Sequence, residues 1–291
     1  MKTTLEIIER AISEFKTVGI AYSGGADSTV LLDIIYRHTP HRPPVVFVNS
    51  KMEYPETENF VADVCKKYNA ELFVATPKRE PLEQWRRSGW PMLGKLSARL
   101  WSRGHKDAGF KCDVSACCRN MKIAPGRKMF KKLGLKLQFT GQRGGQDDRL
   151  RGLREIKDGS IHTPKADGLA ICNPLLGWTD TMIRRYQERH QLPKHPAKSR
   201  GAVTIGCVYC GGGAQFTISN YRLLRKTWPE AWRRFIVEYR GGEIILAIKY
   251  DEPLEMIREA INLAGGLEYL ADSRPWIFDF LRFSPLQGYS K

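Results

Sequence analysis

An α/β fold built on a doubly wound parallel sheet, with a helical C-terminal extension, is what this sequence predicts. Two observations carry that expectation. Short apolar runs alternate with amphipathic stretches over the first 76 residues, and a Ser-Gly-Gly turn stands where the first such run meets the next helix. A third is consistent with it: 291 residues, 42% hydrophobic and 27% charged, make one large domain or a domain with an appendage.

Residues 3–15 place Leu5, Ile8, Ile12 and Phe15 on one helical face. Val18 to Tyr22 reads as a short buried strand, SGGADS follows at 23–28, and Thr29 to Arg37 continues as a helix. Pro43 and Pro44 introduce the strand Val45 to Asn49; Glu56 to Tyr68 is the next helix and Glu71 to Thr76 the third strand. This β-α-β-α-β order predicts parallel strands with right-handed crossovers. Ligands bind such sheets beyond the carboxyl ends of the strands, where SGGADS and NSKMEYPET (49–57) fall. Residues 80–110 break the rhythm with Trp85, Trp90 and Trp101 among many Arg and Lys, and read as a basic insertion with one or two short helices. The pattern resumes with a helix at 120–132, a strand at 135–140, a glycine- and arginine-rich loop at 141–152 and a last strand from Ile171 to Leu175. Thr179 and Asp180 cap a helix running to His190. From about 214 the chain reads helical, at 217–226, 229–239 and 252–264, so the expected division is 1–213 and 214–291, with no internal repeat.

The 47 Lys+Arg against 31 Asp+Glu leave +16, with a pI near 9.6. That balance favours a polyanionic partner, nucleic acid foremost, although nucleotide phosphates account for part of it. The longest aliphatic run, Ile244 to Ile248, is too short to cross a bilayer, and Glu6 and Glu9 within the first helix do not fit a signal peptide. The expected location is cytoplasmic. Seven cysteines are an odd count in a chain large enough to need no disulfide staples. Cys65 and Cys172 read as packing residues, and Cys112 is ambiguous. Cys117, Cys118, Cys207 and Cys210 look like a ligand set. An adjacent pair strains tetrahedral zinc but can serve different irons of a [4Fe–4S] cluster. Zinc and unrelated packing thiols are the alternatives.

In SGGADS, Gly24 and Gly25 let the backbone approach an anion, the helix N-terminus adds partial positive charge, and Ser23 and Ser28 add hydroxyl donors. It is not a Walker A loop, since no Lys follows. Arg143, Arg149, Arg151 and Arg154 cluster around Gly141, Gly144 and Gly145 and suit a phosphoryl clamp; surface charge is the bland reading. Asp147 and Asp148 fit Mg²⁺ held through nucleotide phosphates, or a balance to the arginines. The basic insertion and the segment 221–240 interleave rings with cations, as a nucleic-acid surface does, but Trp228 and Trp232 at i, i+4 equally fit a core stripe. His190 and His195 read as structural.

Ser23-Gly-Gly-Ala-Asp-Ser28 resembles the PP-loop of the N-type ATP pyrophosphatases, and further segments resemble the phosphoadenosine phosphosulfate (PAPS) reductase family. These are Phe47 to Thr57, Thr140-Gly-Gln-Arg-Gly-Gly-Gln-Asp-Asp-Arg149, Asn173-Pro-Leu-Leu-Gly-Trp-Thr-Asp180 and Gly206-Cys-Val-Tyr-Cys210, in family order. The resemblance implies a Rossmann-like PP-loop fold. Ser23, Gly24, Gly25, Asp27, Ser28, Asn49 and Gly141 would hold the nucleotide, ATP with Mg²⁺, and Arg143 and Arg149 would be catalytic. The four cysteines match the iron–sulfur branch and would carry the cluster. Two departures are Ala26 after the glycines and Asn49-Ser50-Lys51 in place of a D-T-G type segment. The family's reductases use a cysteine on a C-terminal tail, whereas no Cys follows Cys210 here. The expectation is therefore a sulfurtransferase of the DNA phosphorothioation kind, which adenylates an acceptor for sulfur insertion. Its expected partners are DNA before tRNA, a cysteine desulfurase as sulfur donor, and further copies of the chain. Alternatives are a phosphoadenosine or adenosine phosphosulfate reductase working through Cys112, a tRNA thiolation enzyme, and a non-catalytic nucleotide-binding subunit.

Overall fold

The structure, a computed structural model, describes residues 2–88, 114–144, 161–164, 168–209, 218–250, 254–263 and 265–272. The chain forms two compact units, the first from residues 1–78, 122–200 and 204–206 and the second from 79–121, 201–203 and 207–291. Of the segment read as a basic insertion, the described residues 80–88 group with the C-terminal helices.

The first unit is a six-stranded sheet: β1 (Val18–Ala21), β2 (Val45–Val48), β3 (Leu72–Ala75), β4 (Leu137–Phe139), β5 (Ile161–His162) and β6 (Ala170–Cys172), in the order β3-β2-β1-β4-β6-β5. All pairs are parallel except the edge pair β5–β6. Side chains alternate between faces. Val45 and Phe47 enter the larger core, whereas Val46 enters a second core with Phe130. Both faces are therefore covered, as a doubly wound sheet requires. The helix α1 (Lys2–Phe15) buries Ile8 and Ala11, as its apolar spacing predicts, and α3 (Thr57–Lys67) buries Phe60, Val61 and Val64. Between them α2 (Ala26–His38) is buried from Ser28 to Tyr36, so it reads as a hydrophobic run rather than a stripe. The helix Ala124–Lys132 turns Phe130 onto the opposite face, and Asp180–Arg189 follows β6. Thr179 caps that helix as expected, its hydroxyl accepting from the Met182 amide at 3.3 Å.

Strand order reverses at β1, which has β2 on one side and β4 on the other. The crevice at such a reversal opens at the carboxyl ends of the strands. The loops after β1 and β4 flank it.

The second unit is helical among its described residues. Pro81–Ser88 and Val114–Cys118 precede a π-helical turn, Arg119–Ile123, that leads into the first unit. Later come Ile218–Thr227, Pro229–Arg233, a π-turn at Arg234–Glu238, then Gly241–Tyr250, Leu254–Leu263 and Gly266–Asp272. Its core is aromatic: Phe235 stacks on Tyr209 at 5.1 Å and on Tyr221 at 5.5 Å between ring centroids, and Trp85 meets Tyr239 edge-on. Trp228 and Trp232 are also buried, so the core stripe is the reading that holds. These rings are not available to stack on bases. Trp90 and Trp101 lie outside the described residues. No described helix is long and apolar enough to cross a membrane.

Candidate nucleotide site and cysteine set

β1 ends at Ala21, and the chain turns through Gly24 at a left-handed φ of +74°. A Cβ at Gly24 would come within 3.3 Å of Val61 and 3.5 Å of the His195 ring. Gly25 is the N-cap of α2 and has no side chain to offer, so the N-terminal amides of α2 lack a side-chain cap. The hydroxyls instead brace the turn. Ser28 Oγ and Thr29 Oγ1 donate to the Gly25 carbonyl at 3.0 and 2.9 Å, Gly25 N donates to Ser23 Oγ at 3.3 Å, and the two serine hydroxyls lie 3.1 Å apart. A braced loop at a helix N-terminus is a preformed anion cradle.

Across the crevice, Gly141 follows β4 at van der Waals limit against this loop. A Cβ there would lie 2.8 Å from both Asp27 C and Ser28 N, which are backbone atoms of the first turn of α2. Gly141 is thus needed for close approach of two backbones. Arg143 does not stand as a guanidinium facing outward to clamp a phosphate. It is buried, donating from Nε to Asp27 at 3.0 Å and from Nη2 to Asp180 at 2.6 Å. Its geometry ties the loop after β4 to α2 and to the helix at Asp180, so the role it supports is positioning. Arg149, Arg151, Arg154, Asp147 and Asp148 lie outside the described residues.

Asn49 closes a turn, accepting from Lys51 N at 2.8 Å, and donates to Glu58 in the first turn of α3 at 2.9 Å, so its side chain is engaged within the protein. At the end of β6, fully buried Asn173 accepts from Thr140 Oγ1 at 2.5 Å, and its Nδ2 has no hydrogen-bond partner among the described residues. That donor stands at the same carboxyl edge as the loop.

Two residues gain a meaning the sequence did not assign. His195 Nδ1 accepts from Ala197 N at 3.1 Å, so the proton sits on Nε2 and is donated to Thr57 Oγ1 at 3.0 Å. Burial lowers its pKa, with Glu56 and Glu53 opposing, and the neutral ring packs against Gly24 and Phe60. It is structural, as read, but what it supports is the loop. His-Pro at a helix start was the available signal. Lys198, one turn on, has its pKa lowered by burial, with the Asp27 carboxylate opposing. No sequence pattern links positions so far apart.

In the second unit Cys117 is buried and Cys118 and Cys207 are half-buried, and none is in a disulfide among the described residues. The pair ends a short helix where the π-turn begins, a geometry frequent at functional sites. Thiols are the donors an iron–sulfur cluster takes, so the residue set fits one chemically. Among the described residues no group of three or more His, Cys, Asp and Glu could hold a metal ion, and Cys210 lies outside them. Cys65 and Cys172 are packing thiols. Burial pushes Cys65 up to about 11, and Cys172 higher still.

A doubly wound sheet with a braced Ser-Gly-Gly turn at its reversal point defines a PP-loop-type nucleotide-binding enzyme. The model of the phosphoadenosine phosphosulfate reductase domain matches residues 17–212, and the chain belongs to that family. A phosphoadenosine 5'-phosphosulfate reductase from Alkalilimnicola ehrlichii is 30% identical over 192 residues, 65% of this chain and 68% of the relative. An adenosine 5'-phosphosulfate reductase from Geobacillus kaustophilus is 27% identical over 211 residues, 72% of this chain and 79% of the relative. The crystal structure of phosphoadenylyl-sulfate reductase from Candida auris, a phosphate complex, has the same fold: TM-score 0.50, 19% identity, 70% of this chain and 87% of that chain.

These relatives overturn the expectation of DNA phosphorothioation and favour the alternative, sulfonucleotide reduction. The expectation leaned on the net charge and on the absence of a cysteine after Cys210. The described rings prove to be core, and cations also serve a small phosphorylated substrate.

Proposed function

We propose that this chain is a sulfonucleotide reductase, binding adenosine 5'-phosphosulfate or its 3'-phosphorylated form at the carboxyl ends of β1 and β4. The observation that carries the reading is the braced loop Ser23–Ser28, an anion cradle inside the segment matched to the reductase domain. Its amides and hydroxyls take phosphate or sulfate oxygens. Lys198 adds a cation, Asn173 Nδ2 a buried donor, and Arg143 with Gly141 holds the two loops at the spacing the ligand needs.

In the chemistry we propose, a thiolate attacks the sulfur of the sulfo group. The S–O bond to the nucleotide phosphate breaks, the nucleotide leaves with the electron pair, and an S-sulfonate forms on the thiol. A second thiol then attacks the sulfur of that cysteine, releasing sulfite and leaving a disulfide, so two thiols supply the two electrons. Cys112 is the candidate first thiol and lies outside the described residues. Cys117, Cys118, Cys207 and Cys210 are the candidate ligands of a [4Fe–4S] cluster; when bound, it supplies a compact thiolate-held iron and sulfide centre.

Single turnover with adenosine 5'-[³⁵S]phosphosulfate, stopped without reductant, tests the reading. It predicts label on the protein that dithiothreitol releases as sulfite and that Cys112→Ala loses. Label retained in Cys112→Ala contradicts the assignment of the thiol. No label and no sulfite from either sulfonucleotide contradicts the reading itself.

A further inference from the structure

A second recess lies at the other edge of the same sheet. The helix Ala124–Lys132, the turn into β4 and the turn into β6 border an open recess of about 420 Å³. β1, β4 and β6 run parallel, and this cavity is lined by residues that precede β4 and β6, whereas the Ser23–Ser28 loop follows β1. Three-residue strands rising about 3.3 Å per residue put about 10 Å of sheet between the two edges.

The lining is cationic. Arg127, Lys128 and Lys131 come from the helix and Lys136 from the turn, and no carboxylate lines the cavity among the described residues. Arg127 Nη2 donates to the Leu169 carbonyl at 3.4 Å, anchoring the guanidinium against the wall. Lys128, Lys131 and Lys136 are exposed and have no ion-pair partner among the described residues. The space is open: Gly134 and Gly168 both have left-handed φ, and a Cβ on either would meet nothing within 4 Å. Leu135 and Leu169 give it an aliphatic wall.

A helix C-terminus favours cations, which accounts for lysines in the last turn of Ala124–Lys132. It does not account for Lys136, which lies beyond the helix, or for a recess with cations on both sides. Like charges at i, i+3 repel, as Lys128 and Lys131 do, and among the described residues neither lysine has an ion-pair partner. A ligand with two or more negative groups relieves that repulsion. The volume falls within the range of about 300–1,000 Å³ usual for small-molecule sites.

We propose that this recess binds a small, multiply phosphorylated molecule of mononucleotide size, at a site separate from the nucleotide cradle. Lys128, Lys131 and Lys136 take the phosphate groups, Arg127 forms the anchored side, and the leucines cover the apolar part of the ligand. The inference does not depend on the sulfonucleotide reading.

Calorimetric titration of the full chain with adenosine 3',5'-bisphosphate tests it, in wild type, Lys128→Ala/Lys131→Ala and Ser28→Ala. The two lysines are exposed, so the double variant alters charge without opening the core. The expected result is one equivalent whose affinity falls about tenfold or more in the double variant, as loss of two charge-assisted contacts predicts, and is unchanged in Ser28→Ala. That equivalent also weakens as salt rises. Absence of any equivalent sensitive to the lysines overturns the proposal. So does lysine-dependent binding of a single-stranded oligonucleotide with none of the bisphosphate, which assigns the cations to a nucleic-acid backbone. If sulfite formation is absent while the lysine-dependent equivalent persists, the reductase reading alone fails.

Discussion

The two units solve packing in opposite ways. The sheet unit ties several buried polar groups across distant segments. Asp33, fully buried, accepts from Arg37 and from the hydroxyls of Tyr68 at 2.6 Å and Tyr186 at 2.7 Å, joining α2, the end of α3 and the helix Asp180–Arg189. The helical unit buries rings on rings around Phe235. Two glycines show the same contrast. Gly141 admits the backbone of Asp27 and Ser28, whereas a Cβ on Gly241 would meet the Phe235 ring at 2.6 Å. The lesson is that close approach in the first unit shapes the ligand cradle, and in the second it shapes a core.

The strongest way to break that contrast is Asp33→Asn. Burial alone would raise the Asp33 pKa, but the Arg37, Tyr68 and Tyr186 donors outweigh it and hold the carboxyl below its ordinary value. Removing the charge strands those donors and costs about 3 kcal/mol, or about 6–12 °C in a thermal melt. A carboxyl whose folded pKa is depressed contributes stability present above its ordinary value of 3.8 and lost as pH falls through the lower folded value. The difference between wild type and variant therefore closes below that pH. A melt unchanged at neutral pH would remove Asp33 as the tie between the three helices.

Paired glycine substitutions sharpen the comparison. Gly141→Ala and Gly241→Ala each overpack and cost about 1–3 kcal/mol by chemical denaturation. Only Gly141→Ala also weakens sulfonucleotide binding, by about tenfold or more, because about 1.4 kcal/mol in the displaced cradle is a factor of ten. Equal binding by both variants would mean the approach at Gly141 is mere packing.

His195 gives a smaller, pH-dependent effect. Its folded pKa lies below the ordinary 6.5, so the unfolded chain binds the proton first and stability falls as pH drops from 6.5 through the folded value. His195→Ala reduces that dependence, leaving the share from His190, whose pKa burial also lowers, and, by removing the N-cap acceptor and its bond to Thr57, costs about 1 kcal/mol at pH 8. A pH–stability slope between 5 and 7 equal to wild type would rule His195 out as its source. Thr179→Ala is the smallest expected loss, about 0.5–1 kcal/mol from one exposed N-cap, with sulfonucleotide binding unchanged.

Much of the first unit was legible because short apolar runs mark the buried parallel strands and a 3.6 period marks the helices between them. α1, α3 and β1 to β3 fall within a residue or two of where alternation put them. β5 was missed since two residues carry no period, and Gly241–Tyr250 because it opens on two glycines and then runs uniformly apolar. A π-turn has no sequence signature, so the expected helix at 229–239 appears as an α-turn followed by a π-turn. At the site, the glycines and serines of the loop were readable as a cradle. Their partners were not, since the Gly141–Asp27 approach, the Arg143–Asp27 tie and the His195–Thr57 prop join positions more than a hundred residues apart. Arg143 illustrates the limit: residue type suggested a phosphate contact, and only geometry revealed that two carboxylates hold it.

The central claim is that the cradle serves sulfonucleotide reduction. The most direct measurement supplies the anaerobically purified full chain with dithiothreitol and, in parallel, adenosine 5'-phosphosulfate, its 3'-phosphorylated form or ATP. Sulfite and pyrophosphate are then quantified. The account predicts sulfite equimolar with the released adenine nucleotide from one of the two sulfonucleotides, and no pyrophosphate from ATP. Pyrophosphate and AMP from ATP, with no sulfite from either sulfonucleotide, would contradict it.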